Sequence, residues 1–357
     1  MRRLRERIEH SGASSSVVMH LPNIYYLTGF TGSAGVLYVE AGRATLFTDG
    51  RYTVQAREEL KHSMIKAEIS RGSALAALGA HIAGRKGRAT LRVAYDPSHF
   101  TMAAHRDLLR AAGPRVNWQA EQGWVEALRA VKSVTELTQI RKAARLISDV
   151  FEHIVRRIRP GITELELAAE VDFRMRILGA EGPSFETIVA SGPRSALPHA
   201  RPTSKRLRIN EFVVLDLGAI LGHYCSDLTR TVYLGKASKR VKTWYKAVLE
   251  AQAAAIQALD AGVVASVPDL AARRVLDSYG LGKFFVHSTG HGLGIEVHED
   301  PKLADGQKRL LEAGMVVTVE PGVYVEGTGG VRIEDDVAIH PGRTEVLTTA
   351  SRELLEL

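Results

Sequence analysis

The chain has 357 residues, 45% of them hydrophobic and 24% charged, with a formal net charge of +7 and a single cysteine, Cys225. That length supports two domains, each with its own core. One cysteine excludes an intramolecular disulfide framework and fits a reducing cytoplasm, and the absence of an apolar run of about 18 residues or of a signal-peptide core argues against membrane spanning and secretion. The charge is lopsided: residues 1–125 hold 17 Lys and Arg against 10 Asp and Glu, while the remainder holds 30 of each. These cations are dispersed and lack aromatic interleaving, so no nucleic-acid partner is expected.

Taken in chain order, the opening MRRLRERIEH alternates arginine with Glu6 and Glu9 at helical spacing. Residues 17–55 alternate short apolar runs with Gly-rich turns, and helical stretches and the strand-like LRVAYD follow, which predicts a small α/β domain. Residues 117–133 lead into the helical pattern VTELTQIRKAARLISDVFEHIVRRI, placing a boundary near 125 and domains at 1–125 and 126–357. Pro160-Gly161 ends that helix, and Thr163 with Glu166 forms a capping box for the next. Further helices are predicted near 239–260 and 267–279, ahead of a β-rich end, so the class is α/β (α+β).

Within VVLDLGAILGHYCSDLTRT, Asp216 and Asp227 sit in strand-like apolar runs. A turn at Leu221-Gly222 would pair them directly across a hairpin, where like charges repel. The pattern repeats downstream: MVVTVEPGVYV and GGVRIEDDVAI flank EGTGG, and a turn centred on Gly327 sets Glu320 opposite Glu334. Two hairpins with the same conflict are reconciled jointly by a dinuclear metal centre. FFVHSTGHGLGIEVHED supplies His287, His291 and His298 on a Gly-rich loop, without the helix and glutamate of a zinc HExxH site. Four carboxylates and one imidazole form a hard ligand set that suits Mn²⁺ and tolerates Co²⁺ or Zn²⁺. Arg332 precedes Glu334 by two residues and shares its face, where a guanidinium would either orient ligand carboxylates or form an ordinary cross-strand ion pair.

These segments together resemble the Xaa-Pro aminopeptidase and prolidase group of the pita-bread metallopeptidases over nearly the whole chain. DLGAILGHYCSDLTRT matches the group's two-aspartate hairpin, HSTGHGLGIEVHE its histidine segment, VEPGVY and GVRIEDD its glutamate strands, and NIYYLTGFTGSAG its N-terminal domain. The resemblance implies a C-terminal pita-bread metallopeptidase domain behind a smaller creatinase-type α/β domain, in a cytoplasmic homodimer acting on proline-containing peptides. It implies two divalent metal ions, with Asp216 chelating one, Asp227 and Glu334 bridging, and His291 and Glu320 completing the other shell. It also implies that Glu320 shuttles the proton, that His199 and His298 contact substrate and handle protons, and that His287 lines the pocket. Ala200 follows His199 where many relatives carry glycine. Cys225 is expected to be a packing residue. No motif fixes Arg201 or Lys308-Arg309 as a carboxylate clamp, so an aminopeptidase open to longer chains is favoured over a dipeptidase.

Overall fold

The strands Val36–Glu40 and Ala44–Asp49 are buried at nearly every position, and in the computed structural model, which describes residues 1–86 and 89–357, both faces of their sheet are covered. Alternation along a strand sends successive side chains to opposite faces. Leu37, Val39 and Leu46 enter one core with Ile24 and Phe30, while Tyr38 and Phe47 enter another with Leu78 and Leu108. The six-stranded sheet runs in the order Ile65–Ser70, Ala44–Asp49, Val36–Glu40, Ser15–Val18, Leu91–Tyr95, Val116–Ala120, with parallel and antiparallel neighbours mixed. This unit spans Met1–Arg129 and the second Ala130–Leu357. The division falls beyond residue 125 because Trp124, Val125 and Leu128 pack into the first unit's core.

In the second unit the expected helices form at Val134–Val155, Glu164–Ile177, Lys239–Gln257 and Ser266–Ser278. The Thr163–Glu166 capping box closes reciprocally, and a second one, Ser133 with Glu136, opens the Val134–Val155 helix. Every strand pairing in this unit is antiparallel except one isolated bridge, Tyr233 to Glu356, among the described residues. The strands Ile188–Ser191, Glu211–Leu217 and Leu228–Leu234 form one sheet, and Glu299–Leu303, Gly290–Gly292, Val316–Val319, Asp335–His340 and Arg343–Val346 another.

Along the strands that carry the acids, side-chain parity separates a mainly apolar set from a mainly polar one. Val213, Leu215 and Leu217 join Leu228 and Val232 against Ile147, Val150, Leu167 and Val171 of the first helix pair. Val317, Val319, Val331, Ile333, Val337 and Ile339 join Val248, Ala251, Ala272 and Leu276 of the second pair. Asp216, Thr318, Arg332, Glu334 and Asp336 occupy the alternate positions, and all are buried. The helices therefore fix which strand face carries the acids. Among the described residues, no helix is long and apolar enough to cross a membrane.

Candidate active site

The first hairpin turns at Gly222 and His223, whose φ values of 57° and 64° are both positive. This is the mirror-image turn whose twist matches the flanking strands. The loop lies one residue beyond the expected Leu221-Gly222, so Thr229, and not Asp227, stands opposite Asp216. The register moves by two positions, which leaves side-chain parity unchanged. Asp227, two residues before Thr229, therefore still shares the face of Asp216. The second hairpin keeps the expected register: Gly322 pairs with Arg332 and Val319 with Asp335, and Glu320 and Glu334 occupy matching positions in the break between these ladders.

The strand Gly290–Gly292 brings His291 to the acids, and its glycines permit the approach. A Cβ at Gly290 would lie 1.9 Å from the Thr318 carbonyl oxygen, and one at Gly292 2.2 Å from that of Asp300. His291 Nε2 lies 3.4 Å from Glu320 Oε1 and 3.8 Å from Asp227 Oδ2. Donor atoms of Asp227, His291 and Glu334 fall within 4.8 Å of one another, and the charge of Asp216 acts on Asp227, Glu320 and Glu334. The five residues singled out in the sequence thus converge.

Electrostatics makes this cluster costly without a cation. Burial, then the charge of neighbouring acids, holds the Asp227 and Glu334 carboxyls well above their ordinary range. Burial pushes Glu320 up to about 8 against the opposing pull of Arg332. Asp216 Oδ1 and Asp227 Oδ1 are buried and accept no hydrogen bond. His291 Nδ1 faces the Gly292 carbonyl at 3.0 Å, which assigns the proton there and turns the Nε2 lone pair toward the acids. Burial drives this imidazole down to about 4 and keeps it neutral. Carboxylate oxygens lacking donors beside a neutral imidazole are a donor set that fits hard divalent cations.

Arg332, expected on the face of Glu334, reaches further. Its Nη2 donates to Asp216 Oδ2 at 2.5 Å and its Nε to Thr229 Oγ1 at 3.0 Å, while Thr229 donates to Glu334 Oε2 at 2.6 Å. One guanidinium orients two of the acids, the second through a hydroxyl. Its Nη1 donates to Tyr324 Oη at 2.7 Å and to the Pro198 carbonyl at 3.1 Å.

Tyr324 lies 2.8 Å from His287 Nε2, and His287 Nδ1 lies 2.8 Å from the Ser288 carbonyl. His287 is thereby joined to the arginine, and burial, followed by the Arg332 charge, drives it down to about 4. His298 stacks edge-on against His291 with ring centroids 4.4 Å apart. Burial, then the charge of His199, lowers its pKa. His199 is exposed on a turn, near enough for its charge to act on both His287 and His298.

Sequence reasoning missed Thr229, Tyr324 and Asp336. The signal for all three was the two-residue period counted from Asp227, Glu320 and Glu334. Asp336 Oδ2 accepts from the Asp227 backbone N–H at 3.1 Å and so fixes that acid's backbone. Lys302 is exposed on the Glu299–Leu303 strand, and its charge acts on His291 and His298. Cys225 is 2% exposed and burial pushes its thiol up to about 12, which suits the packing role expected of it.

Residues 138–341 match the model of metallopeptidase family M24, and residues 1–131 match the creatinase/prolidase N-terminal domain. An Xaa-Pro dipeptidase of Pyrococcus furiosus is 35% identical over 334 residues, covering 93% of this chain and 92% of that protein. The structure of an Xaa-Pro dipeptidase from Bacillus anthracis superposes with a TM-score of 0.94 at 36% identity, covering 100% of this chain and 98% of that one. That of an X-Pro aminopeptidase from Thermotoga maritima gives 0.89 at 35% identity, covering 98% and 100%.

Proposed function

From the premise that the chain belongs to metallopeptidase family M24, within its Xaa-Pro peptidase group, we propose that it hydrolyses the bond between an N-terminal residue and proline in Xaa-Pro dipeptides. The observation that carries the hydrolytic reading is the convergence of four acids and one neutral imidazole around two buried carboxylate oxygens that accept no hydrogen bond. The preference for an aminopeptidase drawn from the sequence gives way to its dipeptidase alternative, which the names of relatives similar over the whole chain favour.

Asp216, Asp227, His291, Glu320 and Glu334 would hold two divalent cations, with Mn²⁺ the best match to the donors. Bound there, such cations supply a water of lowered pKa and polarise the scissile carbonyl. Glu320, whose Oε1 lies 3.4 Å from His291 Nε2, accepts the proton of the attacking water and returns it to the prolyl nitrogen. His298, kept neutral by burial, donates to the developing oxyanion. His199 contacts the substrate near the proline, and His287 lines the pocket through Tyr324. The bond before proline carries no N–H, so the site needs no acceptor there.

A free dipeptide ends in a carboxylate immediately after proline. Lys302 offers the cation for it, whereas Arg201 pairs with Glu186 at 3.1 Å and Arg309 lies 3.4 Å from Asp300. The test compares a free Xaa-Pro dipeptide, its C-terminal amide and an Xaa-Pro-Xaa tripeptide on the Mn²⁺-loaded enzyme. Efficient turnover of the free dipeptide with poor turnover of the other two is expected. Equal kcat/KM on all three would overturn the dipeptidase reading in favour of the aminopeptidase. A homodimer, inferred from the resemblance, belongs to the same proposal and is checked by sedimentation.

A further inference from the structure

The turn that carries His199 is exposed, yet both of its ends are tied to one buried carboxylate. Glu164, the first residue of the Glu164–Ile177 helix, is 0% exposed. Its Oε1 accepts from the backbone N–H and the hydroxyl of Ser191, both at 2.8 Å. Its Oε2 accepts from the backbone N–H of Thr203 at 3.1 Å, the Thr203 hydroxyl at 2.8 Å and Arg194 Nε at 3.0 Å. Ser191 ends the strand before the turn, and Thr203 follows it by four residues from His199. Within the turn, Arg194 Nη2 donates to the Arg201 carbonyl at 2.5 Å, so the same carboxylate braces the segment at a third point through that arginine.

At the other side of the turn, Arg332 Nη1 donates to the Pro198 carbonyl, the residue preceding His199. The histidine is thus suspended between an anion that closes the base of its turn and the cation that orients Asp216 and Thr229. Five donors on one buried carboxylate, drawn from three residues spanning the turn, are more than a helix terminus needs. Thr163 and Glu166 already cap this helix. Charge-assisted hydrogen bonds of this kind hold geometry tightly.

We propose that Glu164 is a positioning residue for His199: it sets the turn that presents the imidazole to the substrate, without itself touching substrate or metal ligands. This inference rests on the proposed role of His199 in binding an Xaa-Pro substrate.

The test is a double-mutant cycle on the full-length, Mn²⁺-loaded enzyme, reading kcat/KM on an Xaa-Pro dipeptide. Glu164→Gln keeps the side-chain shape but aims an amide at backbone donors, and it is expected to lower kcat/KM by about 10- to 100-fold, the scale for displacing a positioned group. In a His199→Ala background the same change is expected to cost no more than about twofold, the scatter of independent sites. An equal loss in both backgrounds would overturn the proposal and make Glu164 a general structural residue. Should Glu164→Gln fail to fold, Thr203→Val, which removes one donor, carries the same cycle, and additivity there overturns the proposal equally. If His199→Ala leaves kcat/KM unchanged, the histidine's assigned role fails first and takes this inference with it, a result separable from failure of the coupling alone.

Discussion

Arg332 Nη2 meets Asp216 Oδ2 at 2.5 Å, joining the two hairpins through side chains that are 4% and 11% exposed. The same guanidinium contacts Thr229, Tyr324 and the Pro198 carbonyl. Its charge alone does not explain this arrangement, because the four contacts use its planar fork. Arg332→Lys retains the charge and loses the fork. Metal affinity or turnover is expected to fall by about 10- to 100-fold, as for other partners that orient metal ligands. Metal titration and steady-state kinetics measure both, and wild-type values in each would contradict the orienting role.

Asp227 and Glu334 are the two acids that, by the family resemblance, would be shared between the cations. Asp227→Asn and Glu334→Gln keep their shapes and remove their charges, so turnover is expected to fall by more than the about 10- to 100-fold typical of outer partners. The fold should survive, because each change also relieves like-charge repulsion among buried acids. Elemental analysis and kinetics of the two variants decide the matter. Full metal content with full activity in both would refute the bridging assignment.

The five converging residues were legible in the sequence because the argument depended on parity, and parity survives a two-residue error in register. That is why Asp216 and Asp227 meet on one face although the turn lies at Gly222 and His223. The partner of Arg332 was harder to read. Its contact with Asp216 joins residues 116 positions apart on different sheets, and no spacing rule reports which hairpin packs over which. Lys302 looked like one cation among many in an Arg-rich chain, and only the folded strand sets it apart. The role of Glu164 was concealed by its position, where a capping box already explains a glutamate-rich helix start.

A buried ion pair joins the start of the catalytic unit to the segment bearing His298. Lys132 Nζ lies 3.1 Å from Glu299 Oε2, with side chains 1% and 6% exposed, and Glu299 Oε1 accepts from the Glu296 backbone at 3.1 Å. Both side chains are almost fully enclosed, so Lys132→Met removes a buried cation from beside Glu299 and is expected to destabilise the protein by about 3 to 5 kcal/mol. Adding Glu299→Leu should recover a large part of that loss. Urea unfolding of the two variants measures the difference, and a double variant no more stable than the single one would mean that the pair's geometry, rather than its charge balance, is what matters.

The last prediction concerns metal removal and its dependence on pH. In metal-free protein the Glu320 carboxyl titrates at about 8, above its ordinary value of 4.5, so the native state retains a proton that the unfolded chain releases. A raised folded pKa gives stability that is present below the unfolded value and lost as pH rises through the folded one. Buried His287 and His291 act in the opposite sense: held down to about 4 from 6.5, they contribute stability present above 6.5 and lost as pH falls toward 4. The two effects compete below pH 6.5. Above 6.5 the unfolded chain's histidines lose their protons too, so their contribution levels off and the acids dominate up to 8. The melting temperature of the chelator-treated protein is therefore expected to fall across that window. Cations replace the retained protons and bind more strongly as those protons leave, so metal-loaded protein should resist the fall, and the gap between the two melting temperatures should widen from pH 6.5 to 8. A gap that narrows over this range would show that the acids are not held protonated in the metal-free site.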